Sequence, residues 1–275
     1  MSLGIAFKGP EGIVLAADSR VTLMAQQVLV PNQPPVHVPS TYDNATKLLK
    51  VGGQKHVGAV TYGIGAIGQR EPRTPHSYIP ELEQELKADE RLSVQDFAQR
   101  LSRFFLEKWK SENMPTTSVQ DMVFIVGGYD EGAAYGRVFD ILIPSRPTPT
   151  EYHVGAGEFG LVWGGQREYA DRLIQGFDGR LPELVQQFLN LDGTKRDELF
   201  RHLGQCLQAP IPFGFLPLQD CVDLAIFLIR TTIVMQHWLV GVRGVGGAID
   251  VAIIREPDGF EEIQKKKIKG EELWS

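Results

Sequence analysis

The residues able to do chemistry in this sequence fall mostly into patterns that lead nowhere. His37, His56, His76, His153, His202 and His237 form no i, i+4 pair and no HExxH, so no metal site is expected. Cys206 and Cys221 match no zinc spacing. Two thiols fit a reducing compartment better than a disulfide scaffold, and both lie in apolar stretches, where a thiol behaves as a small core side chain. No GxSxG elbow and no Walker lysine is present. Gly63-Ile64-Gly65-Ala66-Ile67-Gly68 matches GxGxxG, but a dinucleotide site needs a helix to start there, and Pro72 and Pro75 interrupt too soon. It reads as a strand-to-helix connection that lets a substrate backbone approach, and no cofactor is expected. What remains is Ser2, a small hydroxyl residue directly after Met1, and the run Ala16-Ala17-Asp18-Ser19-Arg20-Val21-Thr22, with Lys47 and Lys50 further on. Taken alone, Ser2 is an unremarkable second residue, Asp18 caps a turn, and Lys47 competes with Lys50 as a surface residue of an edge strand.

The elements around these residues are legible. Ile5–Lys8 and Ile13–Ala17 flank Gly9-Pro10-Glu11-Gly12 and read as a hairpin, the second strand apolar enough to be buried on both faces. Leu23–Thr46 holds Pro31, Pro34, Pro35 and Pro39, shows no period, and reads as a long loop. Lys47–Val51 and Val57–Gly63 form a second hairpin through Gly52-Gly53. From Ser77 to Glu112 the pattern is helical. One stripe is Ile79, Leu82 and Leu86; another is Phe97, Leu101, Phe104, Phe105 and Trp109, with Ser93 and Asp96 at the start of the second helix. Strands are expected at Asp121–Tyr129, Tyr135–Ile143 and Thr150–Val154. Helices follow at Gln166–Gly176, Leu181–Asn190, Lys195–Gln208 and Leu218–His237, then strands at Gly247–Arg255 and Phe260–Ile263. Segregated runs of this kind predict an α+β fold, with two stacked antiparallel sheets and helices outside.

The chain has 275 residues, 43% hydrophobic and 23% charged, with a formal net charge of -6. That length suits one layered domain, and the balance offers no basic footprint for nucleic acid. The one basic run, Lys265-Lys266-Lys267 with Lys269, sits among glutamates and reads as a solvated terminal face. The apolar stretch Cys221–Val242 carries Asp223, Arg230, Gln236 and His237, which suits a buried helix rather than a membrane span. With no basic, apolar leader pattern, a cytoplasmic location is expected.

Without Met1, the sequence would open Ser2-Leu3-Gly4-Ile5-Ala6-Phe7-Lys8 and reach Ala16-Ala17-Asp18-Ser19-Arg20-Val21-Thr22. This resembles the opening of β-type proteasome subunits, N-terminal-nucleophile hydrolases that start on a threonine and reach an AADSRxT-like segment at the same spacing. The likeness covers the first 22 residues, resumes at Lys47–Gly63, and is looser at Phe124–Tyr129 and Gly246–Ile254. It implies a single-domain, four-layer αββα sandwich over residues 1–275, with a helical insertion at 179–217 that serves packing or oligomer contacts and a tail at 264–275. It implies a homo-oligomer acting on peptide or protein substrates; the charge balance and the apolar pattern already leave no nucleic-acid or membrane partner expected.

The chemistry implied is compact. A free α-amine has a pKa of about 8 and can take the proton of its own hydroxyl. By the resemblance Ser2 is the nucleophile, Lys47 supplies positive potential, Asp18 anchors that lysine, and Arg20 organises the same loop. Backbone N–H groups near Tyr62 and Gly63 form the oxyanion hole. The mechanism requires removal of Met1, because otherwise the Ser2 nitrogen is an amide. This chain departs from the family pattern at several points. Serine replaces threonine, the Asp18–Lys47 gap is longer, a Gly-Ser-Gly turn reads Gly155-Ala156-Gly157, and an aspartate and a serine before a Gly-Gly pair read Val242 and Val245. Two alternatives therefore stand beside the protease: an inactive scaffold subunit and a small-molecule amidase on the same fold.

Overall fold

A computed structural model describes residues 2–27, 36–86, 91–116, 120–155 and 157–270. Met1 and Ala156 lie outside the described residues. Two five-stranded antiparallel sheets form the body. The first has the order β10-β1-β2-β11-β12, from Gly160–Gly165, Leu3–Lys8, Ile13–Asp18, Ile249–Arg255 and Gly259–Gln264. The second runs β5-β6-β7-β8-β9, from Leu48–Leu49, Val57–Gly63, Met122–Gly128, Arg137–Ile143 and Arg146–Tyr152.

Each sheet carries helices on one face and the other sheet on its opposite face. Ala6, Leu15, Val60, Ile125 and Ile254 pack between the sheets. On the second sheet lie α1 (Ile79–Leu86) and α2 (Val94–Ser111), through Leu82, Phe97, Leu101, Phe105 and Trp109. On the first lie α3 (Glu168–Ile174) and α6 (Leu218–Trp238), through Ala170, Cys221, Ala225 and Leu228. The chain is thus α+β, with helices, sheet, sheet and helices in succession. Strand β2 is central and buried at every position, which explains why its sequence does not alternate. Helix α2 starts where Ser93 accepts the Asp96 N–H, a cap that contributes about 1 kcal/mol. Its aromatic stripe is core: Phe105 stacks on Phe124 of β7 at 4.5 Å.

Several expectations need correction. The proline-rich Leu23–Thr46 stretch is not all loop: β3 (Val21–Gln27) and β4 (Val36–Tyr42) form a ribbon, paired from Val21–Tyr42 to Gln27–Val36. In a two-stranded ribbon every strand is an edge, where a residue such as Pro39 is tolerated; residues 28–35 lie outside the described residues. Strand β10 was not expected at all, because Gly160, Gly164 and Gly165 hide it, yet it pairs with the whole of β1. The 77–112 helical stretch is a short 3-10 turn, Pro75–Tyr78, followed by two helices; residues 87–90 between them lie outside the described residues. Cys206 is exposed rather than core, because α5 (Gly193–Leu207), like α4 (Arg180–Leu189), has no buried residue. Lys266 is not simply solvated, since its ammonium pairs with the buried Asp250 carboxylate. No helix among the described residues is long and apolar enough to cross a membrane.

Candidate active site

The site forms where the two sheets meet at the start of β1. Asp18 ends β2, and the chain there is pinned from both sides. Ser19 donates its N–H to Gly246 O at 3.0 Å and its hydroxyl to Ala248 O at 2.6 Å. The buried Asp18 carboxylate collects four donors. The Leu3 N–H and the Lys47 ammonium reach Oδ1 at 3.1 and 2.7 Å; the Arg20 and Gly246 N–H groups reach Oδ2 at 3.1 and 3.0 Å. Backbone donors fix the carboxylate's orientation whether or not the lysine is present.

Lys47 precedes β5 in the other sheet. Its ammonium donates to Ser2 Oγ at 2.8 Å as well as to Asp18. Ser2, Asp18 and Lys47 are 2%, 1% and 4% exposed. Burial lowers the Lys47 pKa from the usual lysine value; the Asp18 charge and hydrogen bond oppose that shift, and nearby Lys266 adds to it. The result is a cation held against a hydroxyl in a site nearly closed to water. A cation so placed can stabilise an alkoxide far better than one in solvent.

Arg20 reaches Asp18 through its backbone N–H, while its side chain holds the neighbouring loops. Its guanidinium grips Asp43 at 2.5 and 2.7 Å and donates to Arg243 O at 3.2 Å, and the Asp43 bond raises its pKa. It ties the loops after β4 and before β11 to the end of β2, and touches Asp18 through its N–H. Of the two expected backbone donors, the strand geometry separates the roles. Thr61 sends its N–H to Lys47 O at 3.0 Å and Ile64 sends its own to Asp121 O at 3.0 Å. By alternation, the Gly63 N–H faces the Lys47 side and the Tyr62 N–H faces β7. Gly63 sits at φ +82°, with Asp121 O 2.1 Å from where a Cβ would stand, so only glycine fits.

Ser2, Lys47, Thr61, Tyr62, Ile64 and Pro75 line one cleft, together with Val21 and Thr46. Sequence reasoning missed Thr61, which lines the same cleft and whose buried hydroxyl has no hydrogen-bond partner among the described residues. A threonine in a strand carries no signal for this. The GxGxxG stretch starts no helix: Ile67 bridges to Arg73, and the next helical turn begins at Pro75. Val245 is buried and Val242 exposed, and at this turn it is the Gly246 N–H that reaches Asp18. Among the described residues no group of histidine, cysteine and carboxylate side chains is placed to hold a metal ion. No known protein-family model matches the chain, and no curated protein matches it either.

Proposed function

We propose that this protein is an N-terminal-nucleophile hydrolase of the proteasome β type, cleaving amide bonds in peptides through Ser2 once Met1 is removed. One observation carries the reading: the Lys47 ammonium lies 2.8 Å from Ser2 Oγ and 2.7 Å from Asp18 Oδ1, with all three groups buried. The helix–sheet–sheet–helix layering supports assignment to that fold.

The freed α-amine takes the Ser2 hydroxyl proton, directly or through a water. Lys47 steadies the alkoxide as Oγ bonds to the substrate carbonyl carbon. The carbonyl oxygen becomes an oxyanion facing the Gly63 N–H. The C–N bond then breaks, the α-ammonium returns its proton to the leaving amine, and water hydrolyses the Ser2 ester. Lys47 acts as a cation throughout, held by the Asp18 carboxylate beside it. Exposed apolar side chains on α6 (Phe227, Val234, Trp238) and α4 (Leu184, Phe188) support self-association of copies of this chain.

The test is turnover of a peptide panel set against simple amides. Wild type is expected to cleave peptides, and Ser2→Ala and Lys47→Ala to lose turnover. Unchanged turnover in either variant discards the site, and preference for simple amides replaces the protease by an amidase.

A further inference from the structure

Ser2 leads into β1 and Asp18 ends β2 in the first sheet, while Lys47 leads into the second. The 2.8 Å contact between Lys47 and Ser2 is therefore an intersheet distance. Whatever fixes the spacing of the sheets at this end also fixes the site. Tyr62 occupies that position. Its ring projects from β6 toward the β1–β10 pair, where Gly4 and Gly164 stand directly opposite each other in the ladder. A Cβ on Gly4 would meet Tyr62 Cδ1 at 2.7 Å. One on Gly164 would meet the Tyr62 hydroxyl oxygen at 2.1 Å and Cζ at 2.3 Å. The two glycines form a slot, and the tyrosine ring fills it.

The slot's neighbours in the chain are the parts of the site. Gly4 is two residues from Ser2. Thr61, before Tyr62, holds Lys47 O, and Gly63, after it, faces the Lys47 side. We propose that Tyr62 is a positioning residue, a key between the sheets that sets the Ser2 hydroxyl against the Lys47 ammonium and the Gly63 N–H. This rests on the reading of Ser2 as nucleophile. The key works by shape: burial raises the Tyr62 hydroxyl pKa, so it carries no charge at working pH.

A second key supplies the control. The Phe260 ring lies where a Cβ on Gly58 would meet Cδ2 and Cε2, both at 2.4 Å, and so also joins the two sheets. Phe260 does not line the Ser2 cleft.

The experiment measures Ser2 acylation by a β-lactone on the full chain, by intact mass. It separates the maximal rate from the half-saturating concentration and follows thermal unfolding in parallel. Tyr62→Phe keeps the ring and is expected within about twofold of wild type. Displacement of reacting groups by about 1 Å costs on the order of 10²-fold, so Tyr62→Leu is expected to lose at least about tenfold in maximal rate with little change in half-saturation. Gly164→Ala, which leaves Tyr62 intact but blocks its seat, should fall in the same direction. Phe260→Leu should lower thermal stability by a similar amount while keeping the wild-type rate. A folded Tyr62→Leu protein acylated at the wild-type rate overturns the proposal, as does a Phe260→Leu rate loss equal to that of Tyr62→Leu. If Tyr62→Leu does not fold, Gly164→Ala decides, and an unchanged rate there overturns the proposal. Wild-type protein that takes no label on Ser2 removes the nucleophile reading itself, and the proposal with it; labelled wild type with an indifferent Tyr62→Leu removes the proposal alone.

Discussion

Two aspartates on neighbouring strands of the first sheet each pair with a lysine from outside those strands: Asp18, at the end of β2, with Lys47, and Asp250, on β11, with Lys266. Both aspartates are buried. Both lysines reach a carboxylate oxygen, and both carboxylates also accept backbone N–H groups. The difference lies on the far side of the ammonium. Lys266 closes a contact between the tail after β12 and the sheet. Lys47 has a hydroxyl there, Ser2 Oγ, and burial nearly as complete as that of its carboxylate. An ion pair in a sheet is ordinary architecture. Under the proposed function, an ion pair whose lysine spends a donor on a buried hydroxyl is a reagent.

Predictions that break or sharpen this contrast can be ranked by size. Lys47→Met is expected to slow Ser2 acylation by about 10²–10⁴-fold, the scale of a positioned proton-handling or charge-stabilising group. Lys266→Met should stay within a few-fold of wild type in the same assay. Equal losses would erase the distinction between the pairs.

The next largest effect is on stability. Asp18→Ala strands a buried lysine and three backbone N–H groups, so urea unfolding should show a loss of about 3–5 kcal/mol. Asp250→Ala leaves Lys266 able to reach solvent, and its loss should be nearer 1–3 kcal/mol.

The pH dependence carries a sign. Burial places the folded Lys47 pKa below the ordinary lysine value of 10.5. Between those two values the unfolded chain binds more protons, so this group's contribution to stability rises with pH across that window. Its cost is complete below the folded value and gone above the ordinary one. The wild-type minus Lys47→Met difference in unfolding free energy should therefore grow as pH rises through the window. A flat difference would mean that Lys47 is not held as a buried cation. Acylation should show the same group as an alkaline limb lying below 10.5.

The smallest effect comes from the neighbouring pair acting on the first. Lys266 pushes the Lys47 pKa down. Removing it in Lys266→Met should move that alkaline limb upward by a fraction of a pH unit, on the scale of a screened charge at a distance. A downward movement would reverse the electrostatic assignment.

How much of this was readable in the sequence depended on how local the signal was. The β1–β2 hairpin announced itself through two apolar runs around Gly9-Pro10-Glu11-Gly12, and α2 through its aromatic stripe and Ser93 cap. Strand β10 was not readable because its glycines serve another strand's needs. Gly164 leaves room for Tyr62, and Gly165, at φ +100°, lies against Ser2 O, 1.9 Å from where a Cβ would be. The ribbon β3–β4 was missed because prolines signal loops wherever pairing partners are unknown. In the site, Asp18 and Lys47 were named from a motif and a resemblance, and the structure brings them together with Ser2. The split between Tyr62 and Gly63, ring on one side and N–H on the other, needed the β6 register, which no single-strand pattern supplies. Lys266 was misread for a related reason: its partner, Asp250, lies 16 residues away, and only the fold makes them neighbours. The two thiols give a simple check on burial. Cys206 should react with a maleimide in the native protein, and Cys221, whose pKa burial raises to about 12, only after unfolding.

The central claim concerns one hydroxyl and its own amine. Intact mass of the purified protein, before and after a β-lactone and followed by peptide mapping, addresses it directly. The expected result is a chain beginning at Ser2 that gains a single adduct on that residue, with none in Ser2→Ala. A chain beginning at Ser2 that stays unmodified, or an adduct mapped to another residue, would contradict the account.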